Sequence, residues 1–366
     1  MLRRAARTGG LALAVFVFFC LAQTAQAQPH GRGMFVTVLQ TPQVLSGRKE
    51  ISRVVETAGQ DRVKTLFVQI YRANQAWFPS KVGDPSPYER CLKSAGQDPL
   101  ALLIEQAHAA GIQVHAWVNL LSLANNKNAP LLKKYGCDIL TRNLKKKTSL
   151  EDYRIDNQYF LEPGDPRVRE ELALLVDEIL DRYPALDGIQ FDYIRYPDKN
   201  PAYGFTRINV DRFKKATGCT TVAEKSPQWQ AWKRRQVTEL LALLVKKVRA
   251  KRPDMQVSAT GCAPYVRASQ EAFQEWPSWL ESGLVDFVTV MTYSADANEF
   301  ARYLADARKR VSDPGKLNFA VGAYVLGIAP ATFRRQMRAC EDTGAGECVI
   351  FHYGSLLDHP PLREQL

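Results

Sequence analysis

Carboxylates that follow short apolar runs are the residues of this sequence best placed to do chemistry. Asp192 ends an apolar run within DGIQFDYIRYP, residues 187–197. Glu162 directly precedes a predicted helix, and Asp296 lies just beyond an apolar run that ends at Tyr293. Two carboxyl groups facing one bond can serve as proton donor and as nucleophile or base in glycoside hydrolysis. We therefore predict Asp192 as the main catalytic carboxylate, with Glu162 or Asp296 as the acid/base.

Each of these carboxylates also has a structural explanation. Asp192 can pair with Arg195 or Arg72 and stiffen the rim of a site. Glu162 can simply lie near a helix N-terminus, where the backbone favours negative charge. Asp296 can cap the helix that follows it. The sequence leaves both explanations open for all three residues.

Side chains that could hold a sugar accompany the carboxylates. Aromatic rings stack on the apolar faces of pyranoses, whereas arginine, histidine and amide groups hydrogen-bond to hydroxyl groups. The predicted substrate-binding residues are Arg72, Trp77, His115, Trp117, Asn119, Gln190, Tyr193, Arg195 and Tyr293. A hydrogen-bonded histidine in the core is an equally good interpretation of His115.

Other kinds of site lack their motifs. The chain has five histidines and no H-E-x-x-H or H-x-H cluster, so we expect no metal. It has no G-x-S-x-G nucleophile elbow and no glycine-rich phosphate-binding or dinucleotide-binding motif, so we expect no cofactor. No nucleic-acid-binding motif accompanies the positive charge, and we expect no nucleic-acid partner.

Eight strands at regular spacing position these residues. Runs rich in β-branched and aromatic residues begin near Gly33, Thr65, Ile112, Asp187, Met255, Asp286, Leu317 and Glu347. Most are separated by helical patterns, such as 98–111 and 165–183, each opened by Asp-Pro. This alternation predicts a single α/β domain, a (β/α)8 TIM barrel. Gaps of 75 and 68 residues between strand starts predict enlarged loops after the third and fourth strands.

The alternation of side chains along each strand predicts which residues enter the barrel. It places Asp192 inside with Gln190, and His115 inside with Trp117 and Asn119. In the second strand it places Gln69 and Tyr71 inside. In the fifth and sixth strands it places inside Ser258, Thr260, Thr289, Met291 and Tyr293. Because active sites of this fold lie at the carboxyl ends of the strands, we expect the polar groups to gather there.

The first 27 residues have the pattern of a secretory signal peptide. Arg3, Arg4 and Arg7 precede an apolar run, and Ala25-Gln26-Ala27 matches a signal-peptidase site. We predict cleavage after Ala27, a domain over residues 28–366, and a periplasmic or secreted protein. No later stretch is long and apolar enough to span a membrane.

The composition is typical of a folded protein. Hydrophobic residues make up 46% and charged residues 24% of the chain, which argues against a disordered or fibrous protein. Without the three N-terminal arginines the chain keeps 46 basic and 38 acidic residues, a net charge of +8. This charge and the cluster Lys145 to Lys147 could attract an anionic polymer or simply solvate the surface. Six cysteines remain after the predicted cleavage of the signal peptide. Among them, Cys340 and Cys348 are close in sequence and are the best prediction for a disulfide.

Several segments resemble one known family in the same order along the chain. They are RANQAWFPS (72–80), DPLALLIEQAHAAGIQVHAWVN (98–119), LEPGDPRVREEL (161–172), DGIQFDYIRYP (187–197), RFKKATG (212–218) and DFVTVMTY (286–293). The sequence resembles glycosyl-hydrolase-like family 10, a bacterial family of (β/α)8 proteins, from about Gly33 to Leu356. The family often has a second Asp directly after the strand-ending one, where this chain has Tyr193.

The resemblance implies an exported glycosidase that acts on a bacterial polysaccharide, with peptidoglycan glycan strands as the expected substrate. A non-catalytic glycan-binding protein on the same barrel is the alternative, because Tyr193 stands where relatives often have a carboxylate. Linkage, stereochemical outcome and oligomeric state are not predicted from the sequence.

Overall fold

A closed parallel β-barrel forms the centre of the molecule. The computed structural model describes residues 31–198 and 201–366. Its eight barrel strands, β1 to β8, are Arg32–Val36, Val63–Arg72, Gln113–Asn119, Gly188–Asp192, Gln256–Cys262, Phe287–Met291, Leu317–Gly322 and Cys348–Phe351. Each strand pairs in parallel with the next, and β1 pairs with both β2 and β8, which closes the barrel. The predicted (β/α)8 fold is therefore confirmed.

The predicted strand positions agree closely with the structure, since every barrel strand begins within two residues of its predicted start. Helices surround the barrel. They span Arg48–Gln60, Ser86–Ala95, Pro99–Ala109, Pro130–Tyr135, Pro166–Arg182, Arg207–Thr217, Pro227–Lys251, Tyr265–Gln270, Trp276–Glu281, Ala297–Arg308, Pro330–Glu341, Tyr353–Asp358 and Pro360–Arg363. Short 3-10 helices span Val44–Ser46, Gly136–Ile139, Leu150–Tyr153, Pro314–Lys316 and Ala323–Val325.

Local sequence signals account for the two best-predicted helices. The Asp98 side chain accepts hydrogen bonds from the first backbone N–H groups of helix Pro99–Ala109. Asp165 caps helix Pro166–Arg182 in the same way through Arg167 N. Both helices have proline at their first position, where no N–H is needed.

The segments after β3 and β4 carry additional elements. The segment between β3 and β4 contains a small antiparallel sheet of strands Ser122–Ala124 and Tyr159–Phe160, together with helix Pro130–Tyr135 and two of the 3-10 helices. The segment between β4 and β5 contains helices Arg207–Thr217 and Pro227–Lys251. Both segments leave the barrel at the carboxyl ends of strands, so they are placed to shape one mouth of it.

Apolar packing divides into an outer and an inner layer. The outer layer joins the outward strand residues to the surrounding helices. The inner layer fills the barrel with Phe35, Phe67, Trp117, Ala320 and Val349. His115 also lies inside the barrel, fully buried between Phe67 and Phe287.

Gly188 makes room for the His115 ring. A Cβ atom at position 188 would lie 2.4 Å from His115 Nδ1, closer than real contacts allow. The start of β4 therefore needs glycine because the neighbouring strand fills the barrel interior at that level.

A bulge in β2 changes the predicted orientation of its last residues. Gln69 pairs with Trp117, but the next residue of β3, Val118, pairs with Tyr71, so one extra residue is inserted in β2. Tyr71 consequently belongs to the outer layer, where its hydroxyl accepts a hydrogen bond from Asn74. The prediction that Tyr71 faces the barrel interior is wrong because alternation does not continue through a bulge. Arg72 faces the mouth of the barrel instead.

One disulfide joins a helix to the barrel. Cys340, in helix Pro330–Glu341, is bonded to Cys348 at the start of β8, which confirms the predicted pairing. Within the described part of the chain, no helix is both long and apolar enough to cross a bilayer. The predicted signal peptide lies outside the described residues.

Candidate active site

An open cavity of about 770 Å3 lies at the carboxyl ends of the barrel strands. Side chains from β1, β2, β3, β4, β5, β6 and β8 line it at the level of the barrel. Its walls come from the loops that follow the strands. Of the predicted site residues, it brings together Arg72, Trp117, Asn119, Asp192, Tyr193, Arg195 and Tyr293.

Asp192 is the most heavily hydrogen-bonded side chain of the cavity. Its Oδ2 accepts hydrogen bonds from Trp117 Nε1 at 2.9 Å and from Asn119 Nδ2 at 3.3 Å. Its Oδ1 accepts from Thr260 Oγ1 at 2.6 Å, from Tyr193 N at 2.6 Å and from Arg195 at 3.2 Å. Five donors around one carboxyl group fix its orientation, because both of its oxygens accept hydrogen bonds from groups on several elements of the barrel.

Further hydrogen bonds, made by Gln69, hold Asn119 in position to donate to Asp192. Gln69 Nε2 donates to Asn119 Oδ1 at 2.8 Å, which directs the amide N–H of Asn119 toward the carboxylate. Gln69 Oε1 accepts from Thr37 Oγ1 at 3.0 Å and from Val38 N at 3.1 Å. Hydrogen bonds from the residues just after β1, through Gln69 of β2 to Asn119 of β3, therefore help to orient Asp192.

Tyr193 adopts a backbone conformation that is rare for a large residue. Its φ angle is 51°, in the left-handed region. This geometry lets the Tyr193 N–H reach back to Asp192 and directs the ring over the Arg195 guanidinium, 4.1 Å from the ring centroid. Strained backbone of this kind persists where the surrounding contacts determine it, often at functional sites.

Two further aspartates line the cavity. Asp198 is paired with Arg267, and its Oδ1 lies 3.9 Å from Arg195 Nε, so the Arg195 guanidinium separates it from Asp192. Asp156 stands on a tight turn, Ile155 to Gln158, and has a φ angle of 49°. Among the described residues, Asp156 forms no side-chain hydrogen bond or salt bridge.

Aromatic side chains form the opposite wall. Tyr293 packs on Phe351 with 4.8 Å between ring centroids, and its edge contacts Tyr324. Burial raises the pKa of Tyr293 well above its usual value, so its hydroxyl stays protonated. Tyr324 keeps 48% of its surface exposed, which leaves a ring available for stacking on a sugar.

The structure places Glu162 outside the residues that line the cavity. Glu162 is fully buried; its Oε1 accepts hydrogen bonds from the Tyr196 hydroxyl at 2.5 Å and from Gly164 N at 3.2 Å. Desolvation raises the pKa of Glu162 to about 7. That pKa suits an acid, but the closed surroundings give a substrate no route to the carboxyl group.

The other predicted residues outside the cavity have structural contacts. Asp296 caps helix Ala297–Arg308 through the N–H groups of Asn298 and Glu299. Gln190 donates to Thr289 within the barrel, at 2.8 Å. Trp77 is packed in the outer layer.

His115 lies in the barrel interior below the cavity, and burial lowers its pKa to about 4, so it is neutral at neutral pH. Neither ring nitrogen has a hydrogen-bond partner in the described structure. The interpretation as a hydrogen-bonded core histidine therefore matches its burial but not its hydrogen bonding.

Several lining residues were not predicted as site residues. Asp156, Asp198, Arg267, Tyr324 and His352 come from loops and short helices that follow the barrel strands, and the paths of these segments depend on tertiary packing. Thr260 was placed inside the barrel by alternation but was not assigned a role. The run RYPD, residues 195–198, was the available signal for Asp198, since it directly follows the strand-ending aspartate.

Fold and site together define a TIM-barrel protein of the glycosidase-like class. The chain belongs to the glycosyl hydrolase-like 10 family, whose model matches residues 32–334. It is 23% identical over 262 residues to glycosyl hydrolase DigH of Escherichia coli strain K12, a match covering 66% of this chain and 57% of DigH. It is 23% identical over 282 residues to glycosyl hydrolase YngK of Bacillus subtilis strain 168, covering 71% of this chain and 52% of YngK. The matches thus span little more than half of these curated relatives.

Solved glycosidase structures share the fold. The catalytic domain of a beta-amylase from Paenibacillus polymyxa superposes with a TM-score of 0.57 at 10% identity, covering 91% of this chain and 94% of that one. A beta-galactosidase from Rahnella sp. R3 superposes with a TM-score of 0.56 at 15% identity, covering 89% and 51%. At these identities the likeness shows the barrel alone.

Proposed function

We propose that this chain is an exported glycoside hydrolase that cleaves a bacterial polysaccharide, with peptidoglycan glycan strands as its substrate. The observation that carries the proposal is Asp192, an oriented carboxylate with five hydrogen-bond donors at the floor of an open cavity. Family membership supports glycosidase chemistry. The cavity is large enough to receive sugar rings, since ligand sites typically measure roughly 300 to 1,000 Å3.

Asp192 is the anionic member of the proposed carboxylate pair. Positive charge develops at the anomeric carbon as the glycosidic bond breaks, and a fixed carboxylate stabilises that charge or attacks the carbon directly. Three of the five donors, Trp117, Asn119 and Thr260, lie on barrel strands, which limits their reorganisation during the reaction.

The proton donor must come from a different carboxyl group. The carboxylate of Asp198 is already engaged by two guanidinium groups of the protein, those of Arg195 and Arg267. Asp156 lines the same cavity and has no salt-bridge partner in the described structure, so its carboxyl group is free to contact a substrate. We assign the acid/base role to Asp156 in this proposal, in place of Glu162 and Asp296, which do not line the cavity.

Export and the choice of polymer rest on several supporting features. The N-terminal sequence has the pattern of a signal peptide, and the Cys340–Cys348 disulfide is of the kind that persists in oxidising compartments. The positive net charge would attract a polymer that carries carboxylates.

The test compares Asp192→Asn with the wild type on purified glycan strands, with released fragments measured by mass spectrometry. We expect turnover to fall by about 100- to 1,000-fold or more because the substitution keeps the shape but removes the charge. Asp296→Asn is the matched control outside the cavity and should keep wild-type turnover. Full activity of Asp192→Asn would refute the assignment. Wild-type protein that binds the strands without releasing fragments would identify a non-catalytic glycan-binding protein.

Asp156→Asn and Asp198→Asn separate the two remaining carboxylates. If Asp156 is the acid, its substitution slows cleavage of sugar leaving groups far more than cleavage of an activated aryl glycoside, which needs no proton. Equal losses on both substrates would contradict the assignment.

A further inference from the structure

Three guanidinium groups line the cavity, and the protein's own carboxylates neutralise two of them. Arg195 pairs with Asp192 at 3.2 Å, and Arg267 pairs with Asp198. Arg72 forms no salt bridge and no side-chain hydrogen bond to any residue in the described ranges 31–198 and 201–366. A positive charge at the mouth of the barrel is therefore left unmatched.

The rest of the chain cannot supply the missing partner. Residues 1–30 and 199–200 contain no aspartate or glutamate. Among the described lining residues, Asp156 is the other charged one outside the ion pairs, and it lies on the turn Ile155 to Gln158 without a salt bridge to Arg72. The Arg72 guanidinium is therefore available to pair with an anionic group of a ligand.

The backbone around Arg72 is built to hold it in place. The bulge in β2 turns Arg72 toward the cavity, and the next two residues, Ala73 and Asn74, have φ angles of 55° and 57°. Two consecutive left-handed residues are typical of a tight hairpin turn, and they are costly for alanine.

Buried amide groups lock this turn. The Asn74 side chain donates to Val82 O at 3.1 Å and accepts from Leu131 N at 2.8 Å, and Asn126 donates to Ala73 O at 2.8 Å. The position of Arg72 is thus fixed before any ligand arrives, which lowers the entropic cost of binding.

The chemistry of Arg72 selects the kind of anion. Its side chain is half-buried, and burial lowers the pKa of its guanidinium, which reflects the cost of desolvating an unpaired cation. A planar guanidinium binds a carboxylate through two parallel hydrogen bonds. Tyr193, whose ring lies against Arg195, is a neighbouring polar group, so the anion would sit beside the Tyr193 side chain.

We infer that Arg72 binds a carboxylate of the substrate and that the cavity thereby selects an acidic saccharide over a neutral one. The inference rests on the proposed function and deepens it by naming the substrate class and the residue that recognises it. The carboxylate can belong to the sugar ring, as in a uronic acid, or to a lactyl ether on the ring, as in peptidoglycan strands freed of stem peptides. Arg72 would bind the same carboxylate group in both cases.

Binding experiments in the Asp192→Asn background test the inference without cleavage. Calorimetry would compare four probes: peptidoglycan oligosaccharides freed of stem peptides, the same oligosaccharides with their carboxylates amidated, oligouronates, and neutral chitin oligosaccharides. Each is measured with Arg72 intact, with Arg72→Gln and with Arg72→Lys. Arg302→Gln, an exposed position on helix Ala297–Arg308, is the matched control for loss of one positive charge.

We expect at least one carboxylate-bearing probe to bind about ten- to a hundredfold more tightly than its neutral counterpart. Arg72→Gln should remove that difference without weakening the neutral probe, Arg72→Lys should retain part of it, and Arg302→Gln should change nothing. Which acidic probe binds identifies the source of the carboxylate.

Two results would overturn the inference. One is equal affinity for acidic and neutral probes; the other is an equal loss of affinity for both in Arg72→Gln protein with an unchanged melting temperature. Failure of hydrolysis by the wild type, with carboxylate-dependent binding through Arg72 intact, would refute the proposed function alone. No binding to any of the four probes would refute both.

Discussion

Replacing Glu162 with glutamine should make the stability of the folded chain less dependent on pH. Glu162 is fully buried, and desolvation raises its pKa to about 7. In the unfolded chain a glutamate titrates near 4.3. Between these values the folded state holds a proton that the unfolded state has released. The stabilisation is therefore complete below the unfolded pKa and is lost as the pH rises through the folded one.

The size of the effect follows from the difference between the two pKa values. One pKa unit corresponds to about 1.4 kcal/mol, so wild-type protein should lose about 3 kcal/mol from this group between pH 4.5 and 7. A glutamine side chain at this position resembles the protonated glutamate and cannot ionise. The stability of Glu162→Gln relative to wild type should therefore increase by about 1.4 kcal/mol per pH unit in this window.

Urea unfolding from pH 4.5 to 6.5 would measure this difference. Lys233 is the buried cation whose charge interacts with Glu162, and burial lowers its pKa to about 7, so most of the window lies below that pKa. Glu105→Gln, at an exposed position of helix Pro99–Ala109, is the control and should follow the wild type at every pH. A difference between Glu162→Gln and wild type that stays constant or shrinks with rising pH would refute the reasoning. Unchanged hydrolysis by Glu162→Gln would also separate Glu162 from the chemistry.

Two further predictions concern the framework of the site. Gly188→Ala should destabilise the fold by about 1 to 3 kcal/mol, because the new methyl group would lie 2.4 Å from the His115 ring. Thermal unfolding would measure this loss, and an unchanged melting temperature would contradict the prediction. Asn74→Ala should lower the free energy of unfolding by about 2 to 4 kcal/mol, because Leu131 N and Val82 O lose their buried partner. The same substitution should raise the KM for an acidic saccharide, because Arg72 would be held less firmly. Loss of stability in Asn74→Ala with no change in KM would show that the turn does not position Arg72.

The sequence already determined the barrel and the residue at its centre. Short β-branched runs about 30 residues apart, with capped helices between them, admit few other arrangements, and each strand start was predicted to within two residues. The alternation of side chains along β3 and β4 correctly brought Trp117, Asn119 and Asp192 to one mouth, because that alternation is a local property of a regular strand.

Only the tertiary structure decided which other charged groups join Asp192. Because of the bulge in β2, Arg72 rather than Tyr71 faces the cavity. Loop packing brings Asp156 to the cavity, whereas Glu162 is buried outside it. Alternation counts residues along one strand, so it cannot register an inserted residue whose cause is pairing with a neighbouring strand. Loops and burial depend on contacts between residues far apart in sequence. For this reason the pKa of Glu162 and the unmatched charge of Arg72 become visible only once the chain is folded.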